Sequence, residues 1–157
     1  MDESTGEILG ALVSTNNLSD DSALSEVLDA IEENIEAVSA DGAYDKCKCY
    51  DAITSRGAQV NIPPRHDAQY WPQEGDNHPR NQNLVRIEQV GRSQWKQESG
   101  YHRRSLSETA MFRFKVIFGT SCSRRTFDNQ AVELLLACAA LNPMTHLGMP
   151  DSYAHDS

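Results

Sequence analysis

The chain of 157 residues is acidic, with a formal net charge of −9; 39% of its residues are hydrophobic and 24% are charged. This balance is typical of a folded domain with a single core, and it excludes an intrinsically disordered chain. The longest apolar run, AVELLLACAAL at 131–141, has the length of a core helix and is too short to span a bilayer.

The first residues and the cysteines together predict where the protein works. MDESTGEI contains neither the basic nor the apolar part of a secretory signal, so we expect a cytoplasmic protein with no membrane partner. The four cysteines are expected to be reduced. A zinc-binding module would have to use them with His66 and His78, but neither the CKC at 47–49 nor the histidine spacing matches a zinc site.

The N-terminal part of the sequence alternates between strand and helix patterns. This order predicts parallel strands joined by right-handed crossovers, and therefore a layered α/β fold. A glycine, Gly57, follows the second helix and is its expected C-terminal cap. The predicted elements are a strand over 7–14, a helix over 19–34, a strand over 35–40, a helix over 45–56 and a strand over 58–62.

The C-terminal part begins with a polar loop rich in proline, glycine and asparagine, whose composition predicts a functional or mobile segment. Two further helices and one long helical segment follow it. We expect one domain over 1–143 and a C-terminal tail over 144–157. The predicted segments are the loop over 63–83, a short helix over 84–91, a helical segment from 101 to Gly119 and a last helix from Asp128 to 142–143.

Charge is distributed unevenly along the chain. All 14 lysine and arginine residues lie within 46–125, and residues 1–45 contain none. A basic middle part favours contact with nucleic acid even when the whole chain is acidic. Many soluble proteins also segregate charge without binding anything, so the distribution alone does not decide.

Asp41 follows the predicted strand over 35–40 and precedes a glycine. In open α/β sheets, ligands bind beyond the carboxyl ends of the strands, which would make Asp41 a functional carboxylate. The alternative is turn chemistry, because Asp-Gly commonly begins a loop and aspartate often caps the next helix.

Four polar side chains follow a narrow line on the segment YHRRSLSETAMFRFK, residues 101–115. If one α-helix begins at Tyr101, then Arg104, Glu108 and Lys115 share an arc of about 60° with it, at about 100° per residue. A polar line on a largely apolar helix needs partners. The alternative is a capping box, with Ser105 as the N-cap and Glu108 reaching back to it, which would make the alignment accidental.

The spacing Tyr101, Arg104, Glu108, Lys115 resembles the Y-x2-R-x3-E-x6-K signature of bacterial insertion-sequence transposases with a DDE active site. ADGAYD at 40–45 is similar to the second-aspartate motif of the same family. The likeness extends through DESTGEI, RGAQVNIPPR, GRSQWKQESGYHRRSLSETAMFRFK and ALNPMTHLGMPDS, and it is strongest to insertion-sequence family five.

The resemblance implies a ribonuclease-H-like fold in which three carboxylates hold two Mg²⁺ ions. It makes Asp41 the second carboxylate and Glu108 the third, both catalytic and both metal ligands. Tyr101, Arg104 and Lys115 would bind DNA phosphates near the cleaved bond. The partners implied are the insertion-sequence ends and the target DNA, together with self-association or a full-length transposase.

In the family that the chain resembles, the first aspartate lies on a strand upstream of the TGEI segment, which here falls at residues 5–8. We therefore expect an incomplete ribonuclease-H-like fold that lacks its first two core strands, and a chain that is inactive alone. Two hypotheses follow. The first is a catalytic-domain fragment whose complete protein cleaves and transfers DNA strands with Mg²⁺. The second is an inactive remnant, or a DNA-binding product that interferes with transposition.

Overall fold

The computed structural model describes residues 1–15 and 17–147, and it divides the chain into two compact units. One unit is formed by residues 14–105, and the other joins residues 1–13 to the chain from Leu106 onward. Most of the predicted tail over 144–157 lies outside the described residues. The helices are α1 (Asp20–Asp29), α2 (Cys47–Ser55), α3 (Pro79–Val90), α4 (Arg92–Glu98), α5 (Ser105–Phe118) and α6 (Phe127–His146).

The described sheet has two strands, β1 (Ala37–Ser39) and β2 (Gln59–Asn61), which pair in parallel with Val38 opposite Val60. Helix α2 forms the crossover between them, so the predicted β-α-β order of residues 35–62 is confirmed. The described chain is thus a mixed α/β structure, mostly helical, with a small parallel sheet.

The core of the unit 14–105 forms between helix α2, helix α1 and the sheet. Helix α2 buries one face completely, and each large apolar side chain there contributes roughly 1.5–3 kcal/mol when it leaves water. The helix ends where Gly57 adopts φ 71° and donates its N–H to the Thr54 carbonyl, so the predicted glycine cap is confirmed. The buried core residues are Leu28, Cys49, Tyr50, Ile53, Ala58, Val60 and Ile62.

The loop predicted over 63–83 is shorter than expected, because helix α3 begins at Pro79 rather than near 84. Proline is favoured at the first helical position, where its missing N–H loses no bond. His78 caps the helix by accepting the Arg80 N–H at Nδ1, 3.2 Å away. Helix α4, Arg92–Glu98, was not predicted.

Residues 7–14 do not form the predicted strand, so this expectation was wrong. A strand needs a neighbour to bond its backbone groups. Here the Asn142 side chain serves Ile8 instead: its Oδ1 accepts the Ile8 N–H at 2.8 Å, and its Nδ2 donates to the Ile8 carbonyl at 3.1 Å.

Helix α6 continues through Pro143 to His146, whereas the sequence predicted an end at 142–143. A proline removes one helical hydrogen bond, and the last turn is held by other contacts. The Thr145 hydroxyl donates to the Leu141 carbonyl at 3.0 Å, and Arg113 on helix α5 donates to the same hydroxyl at 3.3 Å. Among the described residues, no helix is both long enough and apolar enough to cross a membrane.

Candidate functional site

Asp41 lies one residue beyond Ala40, which follows the end of strand β1, and it is half-buried. Its Oδ1 accepts the Ala43 N–H at 2.8 Å and caps the short 3-10 helix Gly42–Tyr44. The turn chemistry considered for Asp41 is therefore present. The turn uses one lone pair of Oδ1, which leaves the carboxylate able to bind a metal ion as well.

A buried ion pair lies directly behind this turn. Arg80 donates to Asp45 from Nε at 2.7 Å and from Nη2 at 3.3 Å. The Tyr50 hydroxyl, at 3.3 Å, and the Arg65 backbone N–H, at 3.0 Å, donate to the same carboxylate. Burial, followed by the Asp45 carboxylate, raises the pKa of Tyr50 well above its ordinary value. Four donors to one buried carboxylate satisfy it, which is what a stable buried charge requires.

The segment after strand β2 fixes the turn after strand β1. The Arg65 side chain donates from Nε to the Gly42 carbonyl at 3.3 Å, and a Cβ at Gly42 would lie 3.5 Å from the Pro63 carbonyl oxygen. The two strands are parallel, so their carboxyl ends meet at one edge of the sheet. Arg65 is thus a cation bonded to Gly42, the residue that follows Asp41. Sequence reasoning did not assign Arg65 a role.

Tyr101 and Arg104 lie on a 3-10 helix, Tyr101–Arg104, which Gly100 introduces with φ 68°. In such a helix, side chains three residues apart are eclipsed, which places the two side chains side by side. The Arg104 Cζ lies 5.7 Å from the Tyr101 ring centre. This 3-10 helix contacts strand β1, the strand that leads toward Asp41, within the same unit.

The predicted polar line does not follow one α-helix. Tyr101 and Arg104 belong to the 3-10 helix, and the α-helical geometry begins only at Ser105. The capping-box alternative fits no better: Ser105 has helical dihedrals of φ −57° and ψ −21°, whereas an N-cap residue is extended. Neither explanation of the pattern describes the backbone correctly.

Glu108 and Lys115 are both exposed on helix α5, seven residues apart. At about 100° per residue they point to nearly the same side of this helix. Lys115 also borders a groove of about 720 Å³ between helices α5 and α6. These two residues belong to the unit of 1–13 and the chain from Leu106, whereas Asp41 belongs to the other unit, so their approach to Asp41 stays a prediction.

The candidate carboxylates match a divalent metal ion in the type of their donor atoms. Carboxylate oxygens are the hard ligands that Mg²⁺ prefers, so Asp41 and Glu108 fit it in kind. In the described parts of the chain, however, no group of three histidine, cysteine, aspartate or glutamate side chains is close enough to hold a metal. Cys47 donates weakly to Asp51 and Glu74, and burial followed by these carboxylates raises the pKa of its thiol, which disfavours a metal-binding thiolate.

Comparison with known families decides the class of protein. The family described as Transposase DDE domain matches residues 1–142. The chain belongs to this transposase family. No solved structure matches it. A transposase DDE domain has a ribonuclease-H-like fold, acts on DNA in transposition and generally uses a divalent metal ion, so DNA is the partner of this transposase domain.

Two features near Asp41 bear on a transposase domain: the end of strand β1 and the contact of this strand with the 3-10 helix. Strand β1 ends at Ser39, two residues before Asp41, and contacts the 3-10 helix Tyr101–Arg104. Sequence reasoning missed Lys96, whose Nζ lies 5.4 Å from the Tyr101 ring centre. The only sequence signal was its place in the basic stretch before Tyr101.

Proposed function

We propose that the chain is the catalytic part of an insertion-sequence transposase of family five, in which Asp41 and Glu108 are two of three metal-binding carboxylates. The observation that carries the proposal is the contact between strand β1 and the 3-10 helix Tyr101–Arg104. This contact supports the proposal, because strand β1 leads toward Asp41 and the 3-10 helix carries Tyr101 and Arg104, although about sixty residues separate the two elements in sequence. A carboxylate beside phosphate-binding cations is the arrangement that DNA cleavage with metal ions needs.

Each residue has a distinct role in this proposal. Asp41 and Glu108 hold Mg²⁺ through carboxylate oxygens. Tyr101, Arg104 and Lys115 bind phosphates beside the reacting bond. The ions, when bound, would activate the attacking oxygen and stabilise the leaving oxygen in an in-line displacement. Arginine suits a phosphate through two parallel hydrogen bonds, whereas lysine acts as a point charge.

The experiment uses a version of the protein extended upstream by a first strand and aspartate of the kind that the family resemblance implies. Glu108→Gln in that protein should abolish Mg²⁺-dependent strand cleavage and leave DNA affinity nearly unchanged. The matched control is Glu88→Gln, because Glu88 is an exposed glutamate on helix α3 without an assigned role. Cleavage that survives Glu108→Gln at the wild-type rate would contradict the assignment.

The second candidate function is DNA binding without cleavage, by a product that interferes with transposition. It is favoured by the number of carboxylates, because the resemblance assigns only two of the three metal ligands, Asp41 and Glu108, to the 157 residues. The 157-residue chain with Mg²⁺ should then bind DNA in a salt-sensitive manner and cleave none of it. Mg²⁺-dependent nicking by this chain that is sensitive to Glu108→Gln would instead support the catalytic function for these residues alone.

A further inference from the structure

The Tyr101 ring is bordered by two cations from different elements. Lys96 on helix α4 places Nζ 5.4 Å from the ring centre, and Arg104 on the 3-10 helix places Cζ 5.7 Å from it. Both distances are within the range of cation–π attraction, which extends to about 6 Å from the ring centre. Both positive groups therefore lie within about 6 Å of the centre of the same ring.

This arrangement is anchored to the rest of its unit. Trp95, next to Lys96, is buried, and its Nε1–H donates to the Asn83 side-chain oxygen at 3.2 Å. The Trp95 ring lies 6.0 Å from the Tyr101 ring, centre to centre. Gly100 turns the chain between them with a positive φ that other residues rarely adopt. Helix α4 and the 3-10 helix are thus fixed relative to each other.

The local charge is strongly positive. Between residues 92 and 104 the only acid is Glu98, against Arg92, Lys96, Arg103 and Arg104. Arg86 already occupies Glu98, donating to both carboxylate oxygens at 2.8 and 2.9 Å. Lys96 is exposed, and Arg104 lies against the same ring. A phosphate bound at this ring would be attracted by both charges.

We propose that Lys96 is a further phosphate-binding residue of this transposase domain, and that the ring of Tyr101 also positions Lys96 and Arg104. The occupant is the phosphate backbone of DNA. This inference rests on the proposed function, because it adds a residue to the same DNA site. It differs from the motif in assigning a role to a residue outside the Y-x2-R-x3-E-x6-K spacing.

The test measures duplex DNA binding by the full 157-residue chain over a range of salt concentrations. Each phosphate neutralised contributes about 0.9 to the slope of log affinity against log salt. Lys96→Gln should lower that slope by about one phosphate and weaken binding, and Lys96→Arg should restore it. The matched control is Lys48→Gln, because Lys48 is an exposed lysine on helix α2 and should leave the slope unchanged.

Two variants of Tyr101 test the positioning role. Tyr101→Phe keeps the ring and removes an uncharged hydroxyl, so its DNA affinity should fall through the assigned phosphate contact while its salt slope stays at the wild-type value. Tyr101→Leu should lower the slope as Lys96→Gln does. Thermal unfolding of each variant checks that the fold is retained. A slope lowered equally by Tyr101→Phe and Tyr101→Leu, or by neither variant, would overturn the positioning role of the ring.

The outcomes separate this inference from the proposed function. Wild-type binding with an unchanged slope in Lys96→Gln would overturn the inference and leave the transposase function standing. A wild-type chain that binds no duplex at low salt would overturn both. A slope lowered equally by Lys96→Gln and by Lys48→Gln would mean diffuse attraction by a basic surface, which also overturns the inference.

Discussion

Arg80 and Asp45 form an ion pair in the interior of the unit 14–105, although 35 positions separate them in the sequence. Their side chains are only 4% and 2% exposed. The Arg80 guanidinium also lies 3.8 Å from the Trp71 ring centre and donates to the Gln69 carbonyl at 2.6 Å. One side chain therefore links the turn after Asp41 to the segment before helix α3.

Removing the cation should be costly, because it leaves the Asp45 carboxylate buried without its charge partner. Arg80→Met is expected to lower the free energy of unfolding by about 3–5 kcal/mol. The control is Arg86→Met, whose ion pair with Glu98 is partly exposed and should be worth less than about 1 kcal/mol. Urea unfolding monitored by circular dichroism measures both, and equal losses would contradict the buried pair's importance.

Asn81 should stabilise the segment that the sequence predicted to be a long loop. Its completely buried side chain accepts the Trp71 N–H at 3.0 Å and donates to the Trp71 and Gly75 carbonyls at 2.9 and 2.8 Å. Asn81→Ala leaves these backbone groups unsatisfied, so we expect a loss of about 1–3 kcal/mol in unfolding free energy. Limited proteolysis should also cut 63–78 faster, whereas Gln82→Ala, at an exposed neighbour, should change neither.

The sequence predicted the elements whose pattern is local. Helix α2 ends at the glycine that the sequence predicted as its cap, and the parallel pairing of strands β1 and β2 follows from the strand-helix-strand order. Helix α3 was predicted too short, because His78, Pro79 and Asn81 resemble loop composition although they cap, start and anchor a helix. Asn81 gains its role only from Trp71, a contact that no local pattern contains.

The candidate site shows the same division between features set by local sequence pattern and features set by tertiary contacts. Tyr101 and Arg104 form an eclipsed pair on a 3-10 helix, whereas the sequence interpretation placed them on one continuous α-helix. Lys96 could not be predicted from that spacing, since its position depends on the burial of Trp95 and the turn at Gly100. Tertiary contacts, rather than residue type, bring Lys96 to the ring.

Glu133 should make the segment before helix α6 sensitive to acid. Its carboxylate accepts the Ser123 and Arg124 N–H groups at 3.0–3.1 Å. These bonds, first of all that of Ser123, lower the pKa of Glu133 below its ordinary value. A lowered folded pKa means that the stabilisation is complete above about pH 4.5 and is lost as the pH falls through the lowered value.

Amide hydrogen exchange measured by NMR can follow these hydrogen bonds to Glu133 directly. The Ser123 and Arg124 amides should be protected at neutral pH and lose protection, after correction for intrinsic exchange rates, as the pH falls below about 4.5. Glu133→Gln should weaken the protection at neutral pH and remove most of its pH dependence. Unchanged protection in Glu133→Gln would mean that other contacts hold the segment.

Asp41 allows its structural and catalytic roles to be separated by two substitutions. Asp41→Asn keeps a side-chain oxygen that can accept the Ala43 N–H, so the unfolding free energy should change by less than about 0.5 kcal/mol. Asp41→Ala removes the cap and should cost about 0.5–2 kcal/mol. The control is Asp29→Asn, at an exposed aspartate that ends helix α1.

In the version of the protein extended upstream, both Asp41 variants should lose Mg²⁺-dependent cleavage, because an amide is a much weaker ligand for a hard cation than a carboxylate. DNA affinity should be retained in Asp41→Asn, since removing a negative charge near the phosphate backbone does not weaken the attraction. Full cleavage by Asp41→Asn together with impaired cleavage by Asp41→Ala would mean that Asp41 acts only through the turn. A metal-binding role predicts instead that stability and cleavage separate in Asp41→Asn.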